Sequence, residues 1–79
     1  MYKNKTLLIT GGTGSFGNAA LKKMLQSDLS EIRIFSRDEK KQDDMRLQYN
    51  SNKIKYYIGD VRDKNSLSHA IQGVDFVFH

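Results

Sequence analysis

The chain has 79 residues, no cysteine and a formal charge of +4, enough for one small domain and no more. Disulfides, cysteine-held zinc and thiol catalysis are excluded, no apolar run approaches the roughly 20 residues that cross a bilayer, and the N-terminus has no signal-peptide core. A nucleic-acid module would need a basic stripe with aromatic platforms, and here the later cations alternate with acids. Cytoplasmic residence is the expectation, and the Asn4-Lys5-Thr6 sequon is read as chance.

Thr6 to Thr10 reads as a first strand whose near-continuous apolar character suits a buried parallel strand. From Ser15 the period changes: Phe16, Ala20, Leu21, Met24 and Leu25 recur at helical spacing and predict one buried face. Glu31 to Phe35 is a second strand. Ser36-Arg37-Asp38-Glu39 then has the form of a capping box, with Ser36 as N-cap. The helix that follows is polar, with only Met45, Leu47 and Tyr49 offering apolar surface. Lys53 to Ile58 alternates, placing Ile54, Tyr56 and Ile58 on one face of a third strand. Asp63 caps a third helix whose Leu67, Ala70 and Ile71 share a face and which Gly73 ends, and Val74 to Phe78 is a fourth strand.

The order β-α-β-α-β-α-β predicts an α/β fold with right-handed crossovers. It is the N-terminal part of a doubly wound (Rossmann) parallel sheet with strand order 3-2-1-4. A full doubly wound sheet has about six strands. With 38% hydrophobic residues and nothing after the fourth strand, the chain reads as an incomplete nucleotide-binding domain of a longer protein.

The chemistry concentrates at the strand ends. Gly11 permits a tight turn out of the first strand, Gly14 lets the backbone approach phosphates, and Gly17 lets the new helix pack closely. The helix N-terminus then offers free N–H groups and partial positive charge to a pyrophosphate. The first 27 residues hold Lys3, Lys5, Lys22 and Lys23 and no acid, which suits such a ligand, although solvated surface lysines are the commoner explanation.

At the end of the second strand an acid would bind the ribose hydroxyls of NAD, whereas a basic residue accommodates the 2′-phosphate of NADP. Ser36 and Arg37 favour NADP, since serine can donate to a phosphate and arginine grips it with a planar fork. Asp38 is near enough to serve ribose instead, and Lys40 and Lys41 also suit plain solvated charge. Asp60, after the third strand, is placed to accept from the adenine amine, or else only turns the chain. Tyr49-x-x-x-Lys53 matches the short-chain dehydrogenase catalytic pair. Its asparagine-rich spacer joins a helix end to a strand, however, and does not put both side chains on one helix face. His69 and His79 show no partner pattern.

Thr10-Gly11-x-x-Gly14-x-x-Gly17 resembles the extended short-chain dehydrogenase/reductases, many of which act on nucleotide sugars. Ser36 through Arg46 and Ile58-Gly59-Asp60-Val61-Arg62-Asp63 narrow the likeness to bacterial UDP-N-acetylglucosamine 4,6-dehydratases of the polysaccharide biosynthesis group. Within that group the inverting, 5-epimerising branch serving capsule and O-antigen (lipopolysaccharide) synthesis is the most similar. The resemblance implies that Thr13, Gly14, Ser15 and Phe16 line the pyrophosphate, that Ser36, Arg37, Asp38 and Lys41 surround the adenosine ribose phosphate, and that Asp60 and Val61 contact adenine. It implies a reaction in which hydride leaves sugar C4 for NADP, water is lost across C5 and C6, and the hydride returns at C6. Catalytic groups and most UDP-sugar contacts are expected beyond His79, in a homo-oligomeric parent. Two alternatives stand beside it: a UDP-sugar 4-epimerase, and a non-catalytic NAD(P)-binding module.

Overall fold

A computed structural model describes residues 1–79. Four strands, β1 (Thr6–Thr10), β2 (Glu31–Ser36), β3 (Ile54–Ile58) and β4 (Phe76–Phe78), alternate with three helices. These are α1 (Ser15–Met24), α2 (Glu39–Tyr49) and α3 (Lys64–Ile71). The strands form one parallel sheet in the order β3-β2-β1-β4, as the alternation of elements predicts.

The sheet separates two cores, and side-chain alternation along each strand explains the division. Leu7 and Ile9 of β1 and Ile32 and Ile34 of β2 join Leu21 of α1, Met45 of α2 and Ile54 of β3 in the larger cluster. Leu8 and Phe35 point the other way and meet Ala70 of α3, with Leu67 and Tyr57 packed beside them. On that second face Arg33 donates from Nη1 to Ala70 O at 2.9 Å and Gln72 O at 2.6 Å. A cation there answers the orphaned carbonyls and negative end of α3. No helix is long and apolar enough to cross a membrane.

Five sequence expectations are corrected. β2 continues through Ser36, which pairs with Ile58, so Ser36 is still strand and cannot cap α2. Asp38 is the cap instead, its Oδ1 accepting from Lys41 N at 3.0 Å. Phe16 is 84% exposed, because the buried stripe of α1 centres on Gly17 and Leu21, about 100° away around the helix. Leu47 is likewise turned outward at 82%, so α2 meets the sheet through Gln42 and Met45. Ile58 and Ile71 are about half-exposed rather than core, since Ile58 lies at the open carboxyl edge and α3 buries only Ala70 fully. The fourth strand is also shorter than expected, and all three of its residues are exposed.

Candidate functional site

β1, β2 and β3 end at one edge of the sheet, where parallel α/β folds gather their ligands. A groove of about 920 Å³ runs along this edge. From the first turn it takes Gly11, Thr13 and Gly14; from the second Ser36, Arg37, Asp38 and Lys41; and from the third Asp60 and Val61. Ser15, Phe16 and Gly17 are not among its lining residues. Phe16 and Gly17 border a smaller cavity of about 240 Å³ with Thr10, Phe78 and His79, and Thr10 Oγ1 lies 2.6 Å from His79 Nδ1 there.

The three sequence glycines do different work. Gly11 has φ +62°, a conformation that other residues adopt at a cost. A Cβ on Gly17 would lie 2.4 Å from Gly12 Cα, so the helix can begin this close to the turn only without one. A Cβ on Gly14 would meet just Gly11 O, at an ordinary 3.5 Å. Packing does not demand glycine at position 14, where the bare backbone lines the groove.

The N-terminus of α1 faces that opening without a cap. Gly14 is its N-cap, no side chain bonds there, and the first turn holds no acid. The first intrahelical bond runs from Asn18 N to Gly14 O, leaving the N–H groups of Ser15, Phe16 and Gly17 without intrahelical acceptors. In contrast, α2 and α3 each turn one first-turn N–H back onto their own cap, Lys41 N donating to Asp38 and Asn65 N to Asp63. An anion-binding helix end needs this openness.

Two residues missed by the sequence reading shape the rest. Gln42, 1% exposed, donates from Nε2 to Ser36 Oγ and to Tyr57 O, both at 2.9 Å. With that lone pair occupied, the Ser36 hydroxyl keeps its proton for another acceptor. Gln42 stands three and seven residues before Met45 and Tyr49, so helical-face arithmetic places it inward despite its polarity. Arg62 folds back on Asp60, with Nη2 2.7 Å from Oδ2, Nε 3.1 Å from Oδ1 and the backbone N–H 2.9 Å from Oδ1. The Arg62 side chain, then its backbone N–H, holds the Asp60 carboxyl far below the usual carboxylate range, with a smaller contribution from Arg37.

The charges are thereby sorted. Asp60 is occupied by Arg62, and Asp38 by its own helix. Arg37 reaches Asp60 only at 3.7 Å and is 72% exposed along its side chain, so its guanidinium is available to a ligand, as is the exposed Lys41. The Tyr49–Lys53 pair does not form a catalytic couple. Asn50 takes the left-handed conformation at the end of α2, and the two side chains reach opposite ends of α1.

Residues 7–79 match the family described as polysaccharide biosynthesis protein. The whole chain aligns over 83 positions with "UDP-glucose 4-epimerase" of Rickettsia bellii (strain RML369-C) at 64% identity. The Rickettsia prowazekii (strain Madrid E) protein of the same name is 61% identical. In both cases the chain spans about a quarter of the relative's length, 24%. Among solved structures, Pen from Bacillus thuringiensis superposes with a TM-score of 0.93 at 37% identity, covering all of this chain and 24% of that one. A putative 3-oxoacyl-reductase from Bacillus thuringiensis gives 0.78 at 20% identity, covering 96% of this chain and 35% of that one, which shows a shared fold.

Proposed function

This chain belongs to the polysaccharide biosynthesis protein family, and from that premise we propose that it is the NADP-binding portion of a longer enzyme acting on nucleotide sugars. The observation that carries the reading is the groove that sets the uncapped end of α1 beside Ser36, Arg37 and Lys41. The residues fit a dinucleotide: bare backbone at Gly14, open N–H groups for an anionic bridge, and two available cations for a further phosphate. When bound, the nicotinamide supplies hydride acceptance and return.

The residues of this chain bind and orient. Ser15 and its neighbours on α1 present N–H groups to the pyrophosphate. Arg37 takes the 2′-phosphate with its fork, Ser36 donates the proton that Gln42 leaves free, and Lys41 adds a point charge. Asp60 and Val61 border the adenine end. No residue among these 79 is assigned acid–base work.

The finer assignment is a UDP-N-acetylglucosamine 4,6-dehydratase of the 5-epimerising branch, supported by the likeness of residues 36–46. The name of the Rickettsia relatives supports a second reading, a UDP-sugar 4-epimerase. Both begin with oxidation at sugar C4, and the parent incubated with UDP-N-acetylglucosamine separates them. A 4-keto-6-deoxy product, short by one water, marks the dehydratase; a C4 epimer with unchanged mass overturns it.

Titrating the chain with NADP and NAD tests the cofactor. Charged hydrogen bonds contribute about 1.5–3 kcal/mol each, so Arg37→Asp is expected to erase a preference for NADP of about tenfold to a hundredfold. An unchanged NADP-to-NAD ratio removes the 2′-phosphate role.

A further inference from the structure

Tyr49 and Lys53, left unused by the site, bracket the helix that opens onto the groove. Tyr49 Oη donates to Asn18 Oδ1 at 3.2 Å, in the first turn of α1. Lys53 Nζ donates to Ser27 O at 2.7 Å, just past the other end of the same helix. We propose that Tyr49 is a positioning residue for the phosphate-binding turn, acting through Asn18; the role rests on the dinucleotide reading above.

Asn18 is the link. Its Oδ1 takes the phenol proton, so its Nδ2 must face the turn, where it donates to Thr13 O at 3.3 Å and Gly14 O at 3.2 Å. A peptide unit is planar, with its C=O and N–H on opposite sides. Holding Thr13 O directs the Gly14 N–H away from Asn18, where it is taken by Gly11 O at 3.1 Å. Holding Gly14 O directs the Ser15 N–H out of the helix end, with no intrahelical acceptor. The turn is therefore fixed in the orientation that offers Ser15 N–H to an anion.

Tyr49 can act at this distance because it is itself held. It is the last residue of α2 and packs, half-buried, against the larger core. Asn50 turns left-handed directly after it. The four-residue spacing that would join tyrosine and lysine on one helix face is thus opened into two arms, one at each end of α1. Lys53 answers carbonyls remote from the groove and contributes stability alone.

Calorimetric titration of the full chain with ADP, which has a pyrophosphate, and with 2′-AMP, which has none, separates these roles. Tyr49→Phe is expected to weaken ADP about threefold to tenfold, the range for one lost neutral hydrogen bond. Its 2′-AMP affinity is expected to stay within about twofold. Asn18→Ala weakens ADP likewise, and adding Tyr49→Phe to it changes nothing further. Lys53→Met lowers the melting temperature and leaves both affinities in place. ADP affinity unchanged in Tyr49→Phe, equal weakening of both nucleotides, or additive effects with Asn18→Ala overturns the positioning role while the dinucleotide reading survives. A wild-type chain that binds neither nucleotide overturns both.

Discussion

Replacing Gly17 by alanine sets two ordinary rules against each other. In an open helix the change would stabilise, since alanine is favoured over glycine by about 1 kcal/mol. Here the new methyl would lie 2.4 Å from Gly12 Cα and 2.5 Å from Gly12 C and O. These neighbours are backbone and cannot swing aside like a side-chain tip. The helix start would have to retreat by about 1 Å to reach ordinary contact, and overpacking of that kind costs about 1–3 kcal/mol. The rigid neighbours put this site in the upper half of that range. After the propensity gain, a net loss of about 1–2 kcal/mol remains, or about 4–16 °C in melting temperature for a domain of this size. Gly14→Ala is the counterpart. Its methyl meets only Gly11 O at 3.5 Å, and the poorer N-cap costs under about 1 kcal/mol. Its effect is expected on the ligand instead, with NADP weakened about tenfold or more as the methyl displaces a charged contact. Thermal melts and NADP titration of both variants check the pair. A Gly17→Ala chain as stable as wild type would refute the close-packing account, and a Gly14→Ala chain with native NADP affinity would refute the role of bare backbone.

Gln42→Leu removes the donor shared by Ser36 Oγ and Tyr57 O and leaves each one hydrogen bond poorer. A loss of about 1–3 kcal/mol is expected by chemical denaturation, with NADP affinity falling because Ser36 is no longer set as a donor. Arg62→Ala is expected to return the Asp60 carboxyl toward its ordinary value near 3.8, readable by NMR titration. Because folding depresses this pKa, the stability it contributes is complete above the unfolded value. That contribution is lost as pH falls toward the folded value, so Arg62→Ala should flatten the acid limb of the stability profile.

Much of this fold was legible because three periods are written plainly in the chain. Apolar-rich segments at 7–9, 32–35, 54–58 and 74–78, separated by helical spacing, are enough to place four parallel strands in order. The glycine spacing, too, located the turn beneath α1. What escaped reading depends on partners distant in sequence. Ser36 and Asp38 are both good caps by residue type, and only the pairing of Ser36 with Ile58 decides between them. Phe16 shares helical spacing with Ala20, yet the stripe that meets the sheet is set by the close approach at Gly17. Gln42 hides behind its polarity, and Asp60 gives no sign in sequence that Arg62 has already claimed it.

The arrangement of the two cores also implies a sequence in time. Every buried residue of the larger cluster, from Leu7 to Ile54, precedes α3 and β4. A chain emerging from the ribosome can therefore close this core before α3 and β4 exist. The smaller cluster must wait for Ala70, and β4 must find β1 across nearly the whole length of the chain, the kind of distant pairing that forms late. Amide exchange is expected to record this history, slowest in β1, β2 and β3 and fastest in β4, whose exposed residues open locally. β4 is laid onto a surface already made, which leaves the groove at the ends of β1, β2 and β3 in place before β4 joins the sheet.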